Sequence, residues 1–131
     1  MSKILENQMK VKDAKLFING EYTDAISGET FDTIDPSTNR KLASVANANE
    51  RDVQRAIEVA QRTFESGVWS DMPVEERAKI LCRMSDLVME RVEELALVET
   101  MDVGKPIKES RGFDIPRAAS NLRFFAEMAK Y

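Results

Sequence analysis

Few residues of this chain could take part in nucleophilic or metal chemistry. The 131 residues include no histidine and one cysteine, Cys82. Without histidine the chain cannot form a Ser–His or Cys–His nucleophile pair, and most zinc sites are excluded as well. Cys82 falls inside a predicted helix, with no histidine or glycine-rich turn beside it, so we interpret it as a packing residue and not as a nucleophile. The sequence therefore predicts no catalytic residue in this chain.

Lys105 and three aromatic residues offer further candidates for ligand binding. Lys105 could bind a phosphate group, and Trp69, Phe124 and Phe125 could stack on a nucleotide. The Gly104-Lys105-Pro106 segment lacks the glycine-rich cradle of a phosphate loop, however, and is typical of a helix end. Aromatic residues at helical spacing usually pack in a core. We therefore predict a helix end at Lys105, core packing for the aromatic residues, and no cofactor-binding residue.

The overall composition narrows the class of partner. The chain is 43% apolar and 32% charged, with a formal net charge of −4, as in ordinary soluble globular proteins. This charge argues against nucleic acid or a membrane as the main partner. No apolar run approaches the ~20 residues of a membrane span, and residues 1–12 contain no hydrophobic signal core. A single cysteine allows no intrachain disulfide, which fits a reducing compartment, and we expect a cytoplasmic protein.

The first third of the chain carries strand and turn signals. Leu16–Ile18 and Glu21–Thr23 read as a hairpin closed by Asn19-Gly20, because this dipeptide favours the positive φ angles of a tight hairpin turn. The alternating polarity of residues 30–35, the turn residues 36–39 and the β-prone residues 41–46 predict two more strands. We expect one small antiparallel sheet, preceded by a flexible lead-in over residues 1–14.

The remaining residues are predicted to be helical. Asn49 is the predicted N-cap of the first helix, Asp52 lies in its first turn, and Gly67 is predicted to end it. A second helix should begin at Pro73 and continue for roughly 40 Å to about Val103, at ~1.5 Å per residue. A third should span residues 107–131 with a kink or restart at Pro116. Because Tyr131 follows no helix-ending signal, we expect the rest of the protein to be absent from this sequence.

Several segments, in this order and at compatible spacings, resemble the start of an aldehyde dehydrogenase. The first are the hairpin segment Leu16-Phe17-Ile18-Asn19-Gly20, then Ser27-Gly28, Thr30-Phe31 and Asp35-Pro36-Ser37-Thr38. In that family the last of these usually reads Asn-Pro-Ala-Thr-Gly-Glu, so that Asp35, Ser37, Asn39 and Arg40 are departures. The later ones are Gly67-Val68-Trp69, Glu76-Arg77, Ile80-Leu81-Cys82-Arg83, residues 93–96, residues 99–107, Asp114-Ile115-Pro116 and Arg123-Phe124-Phe125-Ala126. The stretch from Glu99 to Ile107 is the strongest single part of the resemblance. The sequence of the hairpin is similar to betaine aldehyde dehydrogenases, and the segments from Asp114 onward are similar to muconate-type semialdehyde dehydrogenases.

The resemblance implies an α/β fold and an activity. Residues 15–131 would be the incomplete N-terminal part of the cofactor-binding domain, with a small β-hairpin region followed by three long helices. Family members bind NAD or NADP and oxidise an aldehyde or semialdehyde to the acid: a cysteine thiolate attacks the carbonyl, hydride leaves to the nicotinamide, and a glutamate base helps water hydrolyse the thioester. Those groups and the cofactor-phosphate loop lie downstream of the segments matched here. We therefore expect this chain alone to be inactive and the whole enzyme to be a homodimer or homotetramer.

The resemblance also implies one metal site. In relatives the aspartate that matches Asp102 joins backbone oxygens at the positions of Thr33 and Ile34 to hold a monovalent cation, K⁺ or Na⁺. The alternative is that Asp102 only caps its helix or bonds to Lys105.

A different class of function is the competing hypothesis. The chain could be a self-standing helical binding or assembly module that has lost the catalytic region of the family and uses its apolar faces for docking. The mass of the source protein separates the two, since a module would be near 15 kDa and an enzyme several times larger. Under the enzyme hypothesis the isolated chain should expose large apolar patches, and should therefore associate or be poorly folded.

Overall fold

The computed structural model describes residues 11–131, and its internal contacts divide the chain into two compact units. The first unit extends to Val59 and the second covers Ala60–Tyr131, so the boundary falls inside a helix. The strands are β1 Leu16–Ile18, β2 Glu21–Thr23, β3 Thr30–Asp35 and β4 Arg40–Ala46. The helices are α1 Glu50–Glu65, α2 Val74–Glu90, α3 Val92–Val103, α4 Ile107–Glu109, a π-helical turn Ser110–Asp114, and α5 Ile115–Met128.

The hairpin of β1 and β2 forms where the turn residues predicted it. Leu16 pairs with Thr23 and Ile18 with Glu21 in antiparallel register. Asn19 and Gly20 both have positive φ angles, 57° and 80°, as a two-residue hairpin turn of the primed type requires. The Asn-Gly signal therefore fixed both the position of the turn and the register of its strands.

Strands β3 and β4 form a separate sheet, so the expectation of one continuous sheet is wrong in detail. The strands pair antiparallel, and the register shifts between Thr33, which faces Ala43, and Ile34, which faces Lys41. Leu42 is thereby the extra residue of a β-bulge on β4. Within the described residues each sheet has two strands.

The predicted lead-in falls partly outside the described residues, which begin at residue 11. Its last residues are bonded to β4. The Ala14 N–H donates to the Ser44 carbonyl at 2.8 Å, and Ala14 accepts from the Ala46 N–H at 2.9 Å. The Asp13 carboxylate also accepts the Ser44 N–H at 2.9 Å. Residues 13 and 14 are therefore hydrogen-bonded to the second sheet.

Helix α1 begins at the predicted cap. The Asn49 side-chain oxygen accepts the N–H of Arg51 at 2.9 Å and that of Asp52 at 3.2 Å. This satisfies two of the donors that a helix N-terminus leaves without intrahelical partners. The helix ends before Gly67, which takes the left-handed φ of 70° that the sequence predicted for a stop.

The single long helix predicted from Pro73 to Val103 is instead two helices. Pro73 precedes α2 as its cap, and Arg91, with φ −111° and ψ 19°, separates α2 from α3. Neither proline nor glycine marks this break, so the sequence carried no local signal for it. Gly104 then ends α3 with a left-handed φ of 73°, as predicted.

The predicted third helix is interrupted just before Pro116. A π-helical turn over Ser110–Asp114 precedes α5, and the Ile115 N–H donates to the Ser110 carbonyl five residues earlier. Proline has no N–H to donate to the carbonyl four residues earlier. A π-helical turn, in which each N–H bonds the carbonyl five residues earlier, accommodates this missing donor. Pro116 thus restarts the helix, as expected.

In the second unit, α2 and α5 pack through small side chains. Ala78 and Ser85 of α2 and Ala119 and Ala126 of α5 are all 3% exposed or less. The Ser85 hydroxyl donates to the Ala119 carbonyl at 2.8 Å across this interface. The larger apolar residues Ile80, Met84 and Leu87 of α2 are each more than 40% exposed. Close approach of the two helices therefore depends on small residues.

The aromatic residues predicted to lie in the core do not. Trp69 is 41%, Phe124 56% and Phe125 66% exposed, and the two phenylalanine rings meet edge to face at a centroid distance of 5.3 Å. Within residues 11–131 no helix is long and apolar enough to cross a membrane.

Candidate functional site

Cys82 lies on α2 and has a carboxylate beside it. The cysteine is half-buried, and its Sγ donates to the Glu127 carboxylate at 3.5 Å. The pKa of Glu127 lies below its usual value, mainly because Lys130 donates a hydrogen bond to its carboxylate and to a smaller degree because the Cys82 thiol does so. This geometry agrees with a packing role for Cys82.

The two backbone positions of the expected cation site lie at an irregular point of the first unit. Thr33 and Ile34 flank the register shift between β3 and β4, and β3 pairs with β4 alone among the described residues. An edge strand presents part of its row of carbonyl oxygens away from its partner strand. Carbonyl oxygens are hard ligands of the kind that binds K⁺ or Na⁺.

Asp102, the carboxylate of that expected site, lies in the second unit. It is exposed, in the last turn of α3, and this turn contains no basic residue. The C-terminus of a helix carries a partial negative charge, which an aspartate increases. The local charge therefore favours a cation near Asp102. Because no group of three or more acidic, histidine or cysteine side chains in residues 11–131 could hold a metal, backbone oxygens would have to complete the site.

Lys105, the alternative partner of Asp102, forms an ion pair with Asp114 of the π-helical turn. The hydrogen bond to Asp114 raises the pKa of Lys105 above its usual value. Gly104 ends the helix through its own N–H, which donates to the Thr100 carbonyl at 2.9 Å. Lys105 thus links the end of α3 to the turn before α5, and the prediction of a helix end here is confirmed.

Asp52 is a buried carboxylate whose importance the sequence did not reveal. It is 2% exposed and accepts the Ile26 N–H with both oxygens at 3.2 Å and the Asn49 N–H at 3.1 Å. The sequence placed it in the first helical turn, but Ile26 is 26 residues away and carries no signal of this contact. Asp52 connects the loop after β2 to the start of α1.

Asp35 organises the turn between β3 and β4. Its carboxylate accepts the Ser37 N–H at 2.8 Å and the Ser37 hydroxyl at 2.6 Å, and Asn39 closes the turn with a φ of 54°. The Ser37 hydroxyl is the main cause that lowers the pKa of Asp35, and burial partly opposes it. This is the turn in which the resemblance found an aspartate at the usual position of asparagine.

Comparison with known proteins identifies the family. The model of the aldehyde dehydrogenase family matches residues 22–131. The NADP/NAD-dependent aldehyde dehydrogenase PuuC of Escherichia coli is 47% identical over 113 residues, which are 86% of this chain and 23% of that protein. Aldehyde dehydrogenase 1 of Tanacetum cinerariifolium is 43% identical over 91% of this chain and 24% of its own length.

A solved structure extends the likeness to three dimensions. Indole-3-acetaldehyde dehydrogenase in complex with NAD⁺ is 43% identical and superposes with a TM-score of 0.92 over 98% of this chain and 26% of its own. The chain spans about a quarter of the length of the curated relatives it matches. The strand pairs and helices of this chain are those of the N-terminal α/β portion of such proteins, and the chain belongs to the aldehyde dehydrogenase family.

Proposed function

We propose that the protein containing this segment is an NAD(P)-dependent aldehyde dehydrogenase that oxidises an aldehyde or semialdehyde to the carboxylic acid through a cysteine thioester. The observation that carries the proposal is the continuous match to the family over residues 22–131. A relative of 43% identity that binds NAD⁺ supports the nicotinamide cofactor. The sequence of this segment favours neither NAD nor NADP, so we propose either as the cofactor.

The chemistry would be divided between this segment and the rest of the enzyme. The nicotinamide, when bound, supplies the hydride acceptor. The thiolate, the glutamate base and the cofactor-phosphate loop belong to parts of the family sequence beyond this segment, so we propose that the segment alone is inactive. Its own residues would position the cofactor-binding domain, with Asp52 fixing the start of α1 and the α2–α5 contact holding the helices.

Assay of the complete gene product against a panel of aldehydes with NAD and with NADP tests the activity. Acid formation with reduction of either cofactor supports the proposal, and no turnover of any aldehyde contradicts it. A natural product of about 15 kDa would favour the alternative, a helical assembly module. We further propose that the whole enzyme is a cytoplasmic homodimer or homotetramer with a small aldehyde as its substrate. We propose neither nucleic acid nor a membrane as a partner, because the net charge of −4 disfavours both surfaces.

We also propose that Asp102, Thr33 and Ile34 contribute to a site for K⁺ or Na⁺. The acidic last turn of α3 and the edge position of β3 support it. Binding to the folded state alone stabilises by RT ln(1 + [L]/Kd), roughly 1.4 kcal/mol at a tenfold excess over Kd. We expect K⁺ to raise the melting temperature of the complete gene product relative to tetramethylammonium, and Asp102→Ala to abolish this gain.

Asp86→Ala is the matched control, since Asp86 is another exposed carboxylate of the second unit, paired with Arg123 on α5. This variant should keep the full response to K⁺. Identical melting curves of the wild type in the two salts would exclude the site without bearing on the proposed oxidation.

A further inference from the structure

The turn between β1 and β2 places an asparagine side chain beside the unhindered backbone nitrogen of a glycine. Asn19 and Gly20 are both exposed, and a Cβ at Gly20 would meet no atom beyond its chain neighbours within 4 Å. Glycine has no side chain that could shield its nitrogen from attack on a neighbouring group. The Gly20 nitrogen can therefore act as a nucleophile toward the side-chain amide of Asn19, and solvent water is available to hydrolyse the product.

The folded turn holds these two groups apart. Asn19 and Gly20 have positive φ angles, 57° and 80°, as in a two-residue hairpin turn of the primed type. In such a turn the Gly20 nitrogen points away from the Asn19 Cγ, so that attack requires rotation about the Cα–C bond of Asn19. Because this rotation breaks the turn, the reaction can proceed only when the hairpin opens.

The hairpin has few interactions that keep it closed. Strands β1 and β2 contain three residues each, and within residues 11–131 they pair only with each other. A two-stranded hairpin is marginally stable in water, and a segment with few buried contacts opens locally at low cost. Phe17 and Tyr22 pack across the strands with ring centroids 4.9 Å apart, but they are 62% and 74% exposed. The turn therefore opens more readily than the buried parts of the fold.

We propose that Asn19 is a site of spontaneous deamidation whose rate is set by opening of the β1–β2 hairpin. A bond forms between the Gly20 nitrogen and the Asn19 Cγ while the Cγ–Nδ2 bond breaks, and the proton of the Gly20 N–H ends on the ammonia that leaves. Water then opens the resulting succinimide at one of its two carbonyls and yields aspartate or isoaspartate. Isoaspartate carries the main chain through Cβ, so the lengthened turn no longer holds the strands in register. The inference is independent of the proposed oxidation.

Incubation of the complete gene product in mildly alkaline buffer tests the site. Peptide mapping by mass spectrometry follows the conversion of each amide to a carboxyl group and separates the aspartate and isoaspartate products. Asn39 is the control within the same chain, because it is also exposed in a turn between two strands, with a φ of 54°, but precedes Arg40. We expect Asn19 to convert at least about tenfold faster than Asn39, since only Asn19 is followed by a glycine nitrogen.

Tyr22→Ala tests whether opening of the hairpin sets the rate. Loss of the cross-strand aromatic pair favours the open hairpin, so conversion of Asn19 should become about two- to fivefold faster. Phe31→Ala is the matched control, because it removes a ring that is 52% exposed on β3, outside this hairpin, and should leave the rate unchanged. Equal rates at Asn19 and Asn39 would overturn the proposal, as would conversion of Asn19 in concentrated urea but not in the folded protein. A rate that Tyr22→Ala does not change, or that both variants raise equally, also contradicts it.

Discussion

Asp52 is buried, and backbone N–H groups replace the water molecules that would otherwise solvate its carboxyl group. Three hydrogen bonds from two N–H groups reach a side chain that is 2% exposed. Its reach back to the Asn49 N–H, together with the Asn49 cap, forms a reciprocal arrangement like a capping box, with aspartate in the role of glutamate. The additional bond to Ile26 makes the same carboxylate a tether for the loop after β2.

We predict that Asp52→Ala leaves the Ile26 and Asn49 N–H groups unsatisfied, at a cost of about 1–3 kcal/mol of local stability. Hydrogen exchange at these two amides should accelerate by roughly ten- to a hundredfold. Asp24→Ala is the control, because Asp24 is 74% exposed in its ion pair with Lys15 and such pairs contribute little. Unchanged exchange at Ile26 in the Asp52 variant would refute this account.

Asp35 makes the stability of the β3–β4 turn depend on pH. Because the Ser37 hydroxyl lowers its folded-state pKa below the ordinary value of 3.8, the carboxylate stabilises the fold fully above that value. The contribution is lost as the pH falls through the lowered pKa. Ser37→Ala should raise the pKa of Asp35 in a carboxyl ¹³C titration, whereas Ser27→Ala, in a turn that does not contact Asp35, should not. A Ser37 variant with an unshifted titration would contradict the assignment.

Among the elements, the α2–α5 contact shows how small residues govern helix packing. Ala126 is 0% and Ala119 2% exposed, which leaves no room for a longer side chain. We predict that Ala126→Leu overpacks the interface and destabilises it by about 1–3 kcal/mol. Ala118→Leu, at an exposed position of the same helix, should change stability by less than about 0.5 kcal/mol. Urea titration of the helical circular dichroism signal compares the two, and equal midpoints would argue against close packing at Ala126.

The same elements show what local sequence can and cannot specify. The sequence located the turn at Asn19-Gly20 and the helix ends at Gly67 and Gly104 correctly. Tolerance of a positive φ angle belongs to the residue type itself and can be inferred locally. The break at Arg91 and the burial of Ser85 were missed, since they depend on contacts between distant elements. For the candidate cation site, the residues follow from resemblance alone, because no spacing rule relates a strand to a helix nearly seventy residues later.

At the scale of the whole molecule, the described part of the first unit exposes several large apolar side chains. Val53 and Ile57, one turn apart on α1, are 49% and 54% exposed, and Phe17 and Tyr22 of the hairpin are 62% and 74% exposed. Soluble monomers rarely leave such residues in contiguous patches. The superposition on much longer relatives provides a physical reason, since those proteins contain further polypeptide that can cover these faces.

We therefore predict that the 131-residue chain associates at micromolar concentration, because self-contact is the available way to remove these faces from water. Replacing Val53 and Ile57 together by glutamate should shift it toward monomer, measured by light scattering after size exclusion. Gln54→Glu with Gln61→Glu adds the same charge to α1 at exposed polar positions and should leave association unchanged. Loss of association in both double variants would attribute it to charge and not to the apolar face. A monomeric wild type with a sharp cooperative melt would contradict the prediction and favour a self-standing module, because a fold that needs no further polypeptide can tolerate these exposed side chains.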